Sequence, residues 1–290
     1  MNKLLVCIKL LTFFALLLSF PHQLFADLSP DEVEVTTPEY RPVPGEFDPA
    51  LGTYSYVVSW QGIPAATATV EVQQEDDYYR ISASARTHRA IDIFYRLRYW
   101  AQGIISVDEL RPRETTIEQR ENSRRRDTKV QFHPDGIIES VHQSGRGNPE
   151  IHKFDPRNFT LDPFSAAFLA RSQAWELGET KSFDTFNGRS RYLIELTAKD
   201  KVVMNINGQD REVWVISPHV QKLTEKEPSN KLREARIYVT ADKTREIIQI
   251  TSSVFVGSVT TRMTSFEPLL EEPPTHLAQE KRKSFAIAIN

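Results

Sequence analysis

Side chains that alternate between two faces, in short runs cut by tight turns, restrict this chain more than any other feature. In "TYSYVVSW", Tyr54, Tyr56, Val58 and Trp60 share one face, and in "AATATVEVQ" Ala66, Ala68, Val70 and Val72 do the same. Gln61 to Pro64 turns the chain between them, and Asp76-Asp77 turns it again before Tyr79, Ile81, Ala83 and Ala85. A period of two is the spacing of a half-buried strand. Further turn signals follow in "HPDG" at 133–136, "FNGR" at 186–189 and "NGQD" at 207–210, with Asp242-Lys243 and Gly257 in the last stretch. Asn-Gly favours two-residue hairpins because both central residues take positive φ. Strands joined this way are antiparallel, and a meander of many strands twists until it curls or splits. The expected fold is mainly β: a large curved antiparallel meander, an open or half β-barrel, forming a single domain over residues 50–268.

One segment breaks the pattern. "LDPFSAAFLA" offers Asp162 as an N-cap and Pro163 at the first helical position. Phe164, Ala167 and Phe168 then fall on one helical face. A short central α-helix is expected near 162–175, reaching Trp175 and stopping by Gly178. A single amphipathic helix among strands suits the covering of a concave apolar face or the plugging of an open end. Arg171 lies one turn beyond Ala167 and Phe168, and reads either as a snorkelling rim residue or as an anion contact in a cavity.

The flanks differ in composition. Residues 1–26 have the layout of a secretory signal peptide: Lys3 and Lys9 near the start, an apolar run from Leu10 to Phe20, and a small residue, Ala26, at the cut. The run is too short to span a bilayer as a helix, and no later segment could do so. Cys7, the only cysteine, lies inside this segment, so the mature chain has no disulfide, thiol nucleophile or cysteine metal ligand. A periplasmic location is expected. Residues 27–49 carry five prolines and read as an extended acidic leader, and residues 269–290 as a flexible tail with the basic cluster Lys281, Arg282 and Lys283. Loss of Lys3 and Lys9 takes the formal charge from −3 to −5, which argues against nucleic acid as a partner.

With these blocks in order, the chain resembles a family of bacterial exported proteins, domain-of-unknown-function family 3108, through "YSYVVSWQGIPAATATV", "LDPFSAAFLARSQAWELGET" and "IYVTADKTREIIQITSSVFVGSVTTRM". The resemblance runs from about Leu51 to Phe266, and the middle block is its most specific part. Ala66 stands where a small residue, often glycine, is expected, and "TREII" lacks an expected proline after its arginine. The resemblance implies an exported β-rich protein and supplies no active site. It is similar in outline to periplasmic half-barrels that carry lipid or lipoprotein, an analogy of fold alone.

No nucleophile elbow, phosphate loop or zincin helix is present, and paired carboxylates such as Asp76-Asp77 and Asp108-Glu109 fall in turns. His133, His142 and His152 come from one stretch without metal-ligand spacing, so no metal or other cofactor is expected. The concentrated charge is "RENSRRRDTK", where Arg124 and Arg126 share a strand face and Arg125 points the other way. Its plain reading is a solvated hairpin tip or a guarded edge strand. Its functional reading is a contact for phosphate, anionic head groups or acidic polysaccharide. The expected function is non-catalytic: a periplasmic binding or carrier protein for an amphiphilic or anionic envelope component, with Phe164, Phe168, Arg171, Trp175, Arg124 and Arg126 as candidate ligand residues. Possible partners are a lipid, glycolipid or polysaccharide of the envelope. The alternative is an envelope structural or adaptor protein that docks another protein, and a weaker one is a hydrolase of envelope polymers.

Overall fold

A computed structural model describes residues 28–225, 233–253 and 257–269. The signal segment and nearly all of the C-terminal tail lie outside the described residues. The described residues form fifteen strands in one sheet. The first eight are β1 (Gly52–Trp60), β2 (Ile63–Glu75), β3 (Tyr78–Thr87), β4 (Leu97–Ser106), β5 (Pro112–Glu121), β6 (Arg124–Phe132), β7 (Ile138–Ser144) and β8 (Glu150–Phe154). A one-turn helix, α1 (Arg89–Asp92), joins β3 to β4. The two-residue strand β9 (Thr160–Leu161) leads into the longer helix α2 (Pro163–Arg171). The rest are β10 (Thr180–Phe186), β11 (Arg191–Ile206), β12 (Gln209–Lys222), β13 (Arg233–Thr240), β14 (Ile247–Ser253) and β15 (Ser258–Pro268).

The sheet runs β8 through β1 in reverse order, then β15 through β9. Strand pairing is therefore between sequence neighbours everywhere except β1 with β15, and the sheet stays open between β8 and β9. This is the expected open meander with a helix packed on it. The turns form where glycine and asparagine allow them: Asn207 and Gly208 take φ 53° and 84° between β11 and β12. Inward faces follow the alternation, with Tyr54, Tyr56, Val58, Ala66, Ala68, Val70, Val72, Tyr79, Ile81 and Ala83 all buried in one core.

Side chains, not a backbone ladder, draw the two edges of the gap together. Phe154 of β8 meets Phe186 of β10 edge to face with centroids 5.1 Å apart. Ser140 of β7 donates to the carbonyl of Gly188 at 2.8 Å, and Arg189 pairs with Glu150 at 2.8 Å. The extended segment 28–49 then straps the barrel. Pro30 and Val33 present carbonyls to Arg191, Thr37 bonds Asn158 beside the gap, and Val43 donates to Ser172 at the end of α2. Further on, Glu46 pairs with Arg245 and Asp48 donates to Lys243 in the β13–β14 turn.

Helix α2 begins as the sequence predicts. Asp162 accepts from Ser165 N at 2.6 Å, and Thr115 of β5 donates to its other oxygen. The helix ends at Arg171, short of Trp175. Ser172 Oγ takes the Leu169 carbonyl, and the Trp175 indole donates to the Ala170 carbonyl at 3.0 Å, so side chains satisfy the last turn before Gly178 is reached. Close docking needs Gly103 on β4, where a Cβ would stand 2.5 Å from the ring of Phe164.

Asp162 has no exposed surface, and burial pushes its carboxyl above the ordinary value of 3.8. A raised folded-state value means ionisation works against folding. That stability is complete below the unfolded value and is lost as pH rises through the folded one. Asp162→Asn keeps an acceptor for Ser165 and removes the titration. The parent is expected to lose stability relative to this variant as pH rises above about 4, the ordinary carboxylate value, in urea unfolding. A constant difference across that range would contradict the buried, proton-binding cap.

Candidate ligand cavity

The interior does not pack solid. Inward tyrosines alternate with small residues: Val70 of β2 stands opposite Ala83 of β3, which stands opposite Ala101 of β4. The space this leaves, a cavity of about 150 Å³, is walled by Tyr54, Tyr56 and Tyr99 on one side and by Ile237, Ile247 and Ile250 on the other. Helix α2 contributes Phe164, Ala167, Phe168 and Arg171 to its lining. A second cavity of about 80 Å³ lies on the far side of Ala167 and Arg171, among Ala170, Trp175, Trp214 and Arg245. Ala167 and Arg171, four residues apart on one helical face, line both.

Arg171 is the polar centre of this apolar space. Its Nε donates to the Arg245 carbonyl at 2.7 Å and its Nη2 to the Thr244 carbonyl at 2.9 Å. The guanidinium carbon stands 5.0 Å from the ring centroids of both Phe47 and Phe168. Enclosure by protein pulls its pKa below the ordinary arginine value, and it lines both cavities. Among the described residues Arg171 has no ion pair, and its Nη1 makes no hydrogen bond. The nearest carboxylate to influence it, Glu246, is already paired with Arg211 at 2.6 Å.

Two more polar groups are left over at the cavity walls. Arg245 is 5 % exposed and pairs with Glu46 at 2.7 Å through Nη2, yet its Nη1 is buried without a partner. The Tyr99 hydroxyl is likewise buried and unpartnered, and burial raises its pKa. Burial also raises the Tyr54 hydroxyl to about 12, so all these groups are donors at neutral pH. A buried donor without an acceptor costs about 1–3 kcal/mol, so two such groups, one beside each cavity, call for an explanation.

Of the candidates read from sequence, Phe164, Phe168 and Arg171 line the larger cavity and Trp175 the smaller. Arg124 and Arg126 are not brought to it. They stand at the β5–β6 turn on the opposite rim, Arg124 exposed and Arg126 paired with Glu121 at 3.1 Å. Arg245 and Tyr99 escaped the sequence reading. The inward phase of Tyr99 was a usable signal, whereas Arg245 sits in a turn that no periodicity marks. His142 bonds Thr128 at 2.7 Å, and burial lowers the pKa of both His142 and His152 on neighbouring strands. No group of three metal-binding side chains occurs among the described residues.

A sequence profile described as "Protein of unknown function (DUF3108)" matches residues 55–264. The chain belongs to this family. The match begins inside β1 and ends inside β15, so the DUF3108 unit is the barrel-like sheet with its helix, and the strap lies outside it. A search of curated proteins gives no match. Among solved structures, this DUF3108 chain is similar to a crystal structure described as a beta-barrel-like protein of domain of unknown function DUF1849 from Brucella abortus. The likeness has a TM-score of 0.52 at 7% identity and covers 77% of this chain and 99% of that one. At that identity it shows a shared fold and nothing about a ligand.

Proposed function

We propose that this protein is a non-catalytic binding or carrier protein of the periplasm, and that its ligand is a small amphiphile with an acidic group. The supporting observation is Arg171, a guanidinium without a carboxylate partner between two apolar cavities. An acid head would meet Arg171 Nη1, with Arg245 Nη1 as a second donor, while the apolar body fills the space beside Phe164 and Phe168. Size favours one ring or a short chain: an apolar cavity of about 150 Å³ in another protein stays dry and takes up benzene. The secretory layout of residues 1–26 supports the periplasmic address, and the absence of a compact catalytic motif supports binding over turnover.

Calorimetry with alkanoates of increasing length, each beside the matching alcohol, tests this reading. The acid is expected to bind about 10- to 100-fold more tightly than the alcohol, the usual worth of a hydrogen bond to a charged group. Arg171→Met should erase that preference while leaving alcohol binding in place. Ala167→Phe should weaken both, because it fills the space common to the two cavities. Failure of every acid to bind, or a preference that survives Arg171→Met, would overturn the proposal.

A further inference from the structure

Four arginines stand in register across the outer face of the sheet. Arg86 of β3 is directly opposite Arg98 of β4, Arg98 is opposite Arg120 of β5, and Arg120 is opposite Arg125 of β6. Residues directly opposite point to the same side with Cβ atoms about 5 Å apart, and like charges so placed repel. At a strand spacing of about 4.8 Å the row is roughly 14 Å long. Arg98 is offset by Asp92 at 2.5 Å and Arg125 by Asp127 at 2.7 Å. Among the described residues Arg86 and Arg120 make no ion pair. Charge on a strand often guards a sheet edge, but β3 to β6 are all paired on both sides, so edge protection does not account for this row.

The row ends at an apolar tip. The β3–β4 connection at the same end carries Ile93 and Phe94, 79% and 61% exposed, between the exposed Arg89 and Arg96. The start of β2 at that end adds Ile63, 61% exposed, and the outer face beside the row carries Trp100, 37% exposed. The tip is held in place: Asn122 N donates to the Arg96 carbonyl at 2.8 Å, and Arg96 N to the Asn122 side chain at 2.9 Å. The β4–β5 turn, where Arg111 pairs with Glu39 of the strap, is at the other end of these strands.

We propose that this end of the barrel docks on the surface of an anionic lipid bilayer, with the arginine row over the head groups and Ile93 and Phe94 in the interface. Charge complementarity points to a polyanionic partner, and the exposed apolar tip selects a bilayer over a wholly polar polyanion. The surface is separate from the cavity and does not depend on what the cavity holds.

Co-sedimentation of the full chain with phosphatidylcholine vesicles, with and without phosphatidylglycerol, tests the docking. Binding should require phosphatidylglycerol and weaken with salt. The Arg86→Ser, Arg120→Ser double variant should lose about thirtyfold, about fivefold per arginine removed near an anionic surface. Phe94→Ser should weaken binding without changing its salt dependence, and Arg171→Met should leave binding unchanged. No sedimentation with either vesicle, or full binding by the double arginine variant, would overturn the proposal. So would soluble polyphosphate binding that matches the vesicles and ignores Phe94→Ser, since the face would then read phosphate in solution.

Discussion

Arg191→Met is expected to destabilise the protein by about 3–5 kcal/mol, the usual cost of removing one partner from a buried ion pair. Arg191 and Asp184 both have no exposed surface and meet at 2.6 Å. The guanidinium also donates to the carbonyls of Val33 at 2.6 Å and Pro30 at 3.1 Å, so one side chain joins β10, β11 and the strap. Without it, Asp184 keeps only neutral donors, from Thr160 and from Asn158 at 3.0 Å, for a charge shut away from water. The midpoint of urea unfolding should fall with little change in slope, and limited proteolysis should open the segment 28–49 first. Adding Asp184→Leu should recover much of the loss, because the isolated charge then disappears. An unchanged midpoint in the single variant would mean that this network does not hold the strap.

Phe168→Ala is the second large effect, about 3 kcal/mol, at the low end for removing a buried ring. Phe168 is 4% exposed, with Phe47 of the strap edge-on at 5.6 Å and Tyr79 at 5.8 Å. The low end applies because the ring already borders the larger cavity, so part of its surface makes no packing contact to lose. The space vacated joins that cavity. Stability in urea should fall while uptake of longer alkanoates improves. Equal stability would show that α2 is not docked through this residue. A loss of stability without any change in chain-length preference would separate the helix's structural part from a ligand part.

The sequence made some of this legible and hid the rest for physical reasons. Alternation is local, so the inward faces of β1, β2 and β3 could be read from Tyr54, Ala68 and Ile81 without any knowledge of partners. The Asp162 cap is local too. The end of α2 was misjudged because its last carbonyls are taken by Ser172 and Trp175, and capping by side chains beyond the helix leaves no glycine signal. The gap between β8 and β9 had no signature, since "EIHKF" reads like any other strand and an unpaired edge is a fact about a distant neighbour. The same holds for Arg191, whose partners on the strap are 158 and 161 residues away. In the cluster "RENSRRRDTK" the face-sharing of Arg124 and Arg126 was readable. The row through Arg125 was not, because it needs the register of three strand pairs.

The order of strands also sets a timetable. Every ladder but one joins sequence neighbours, so most of the sheet can form hairpin by hairpin with short loops to close. The exception sets Gly52 opposite Pro268, and that ladder can only zip up once almost the whole domain has emerged. Segment 28–49 is translated before any strand, yet Asn158, Ser172, Arg191, Thr224 and Arg245, to which it is tied, are all made long after it. On chain order alone the barrel is expected to assemble as two meandering halves that meet only when β15 is made, with the segment made first waiting for partners up to Arg245 before it is fastened.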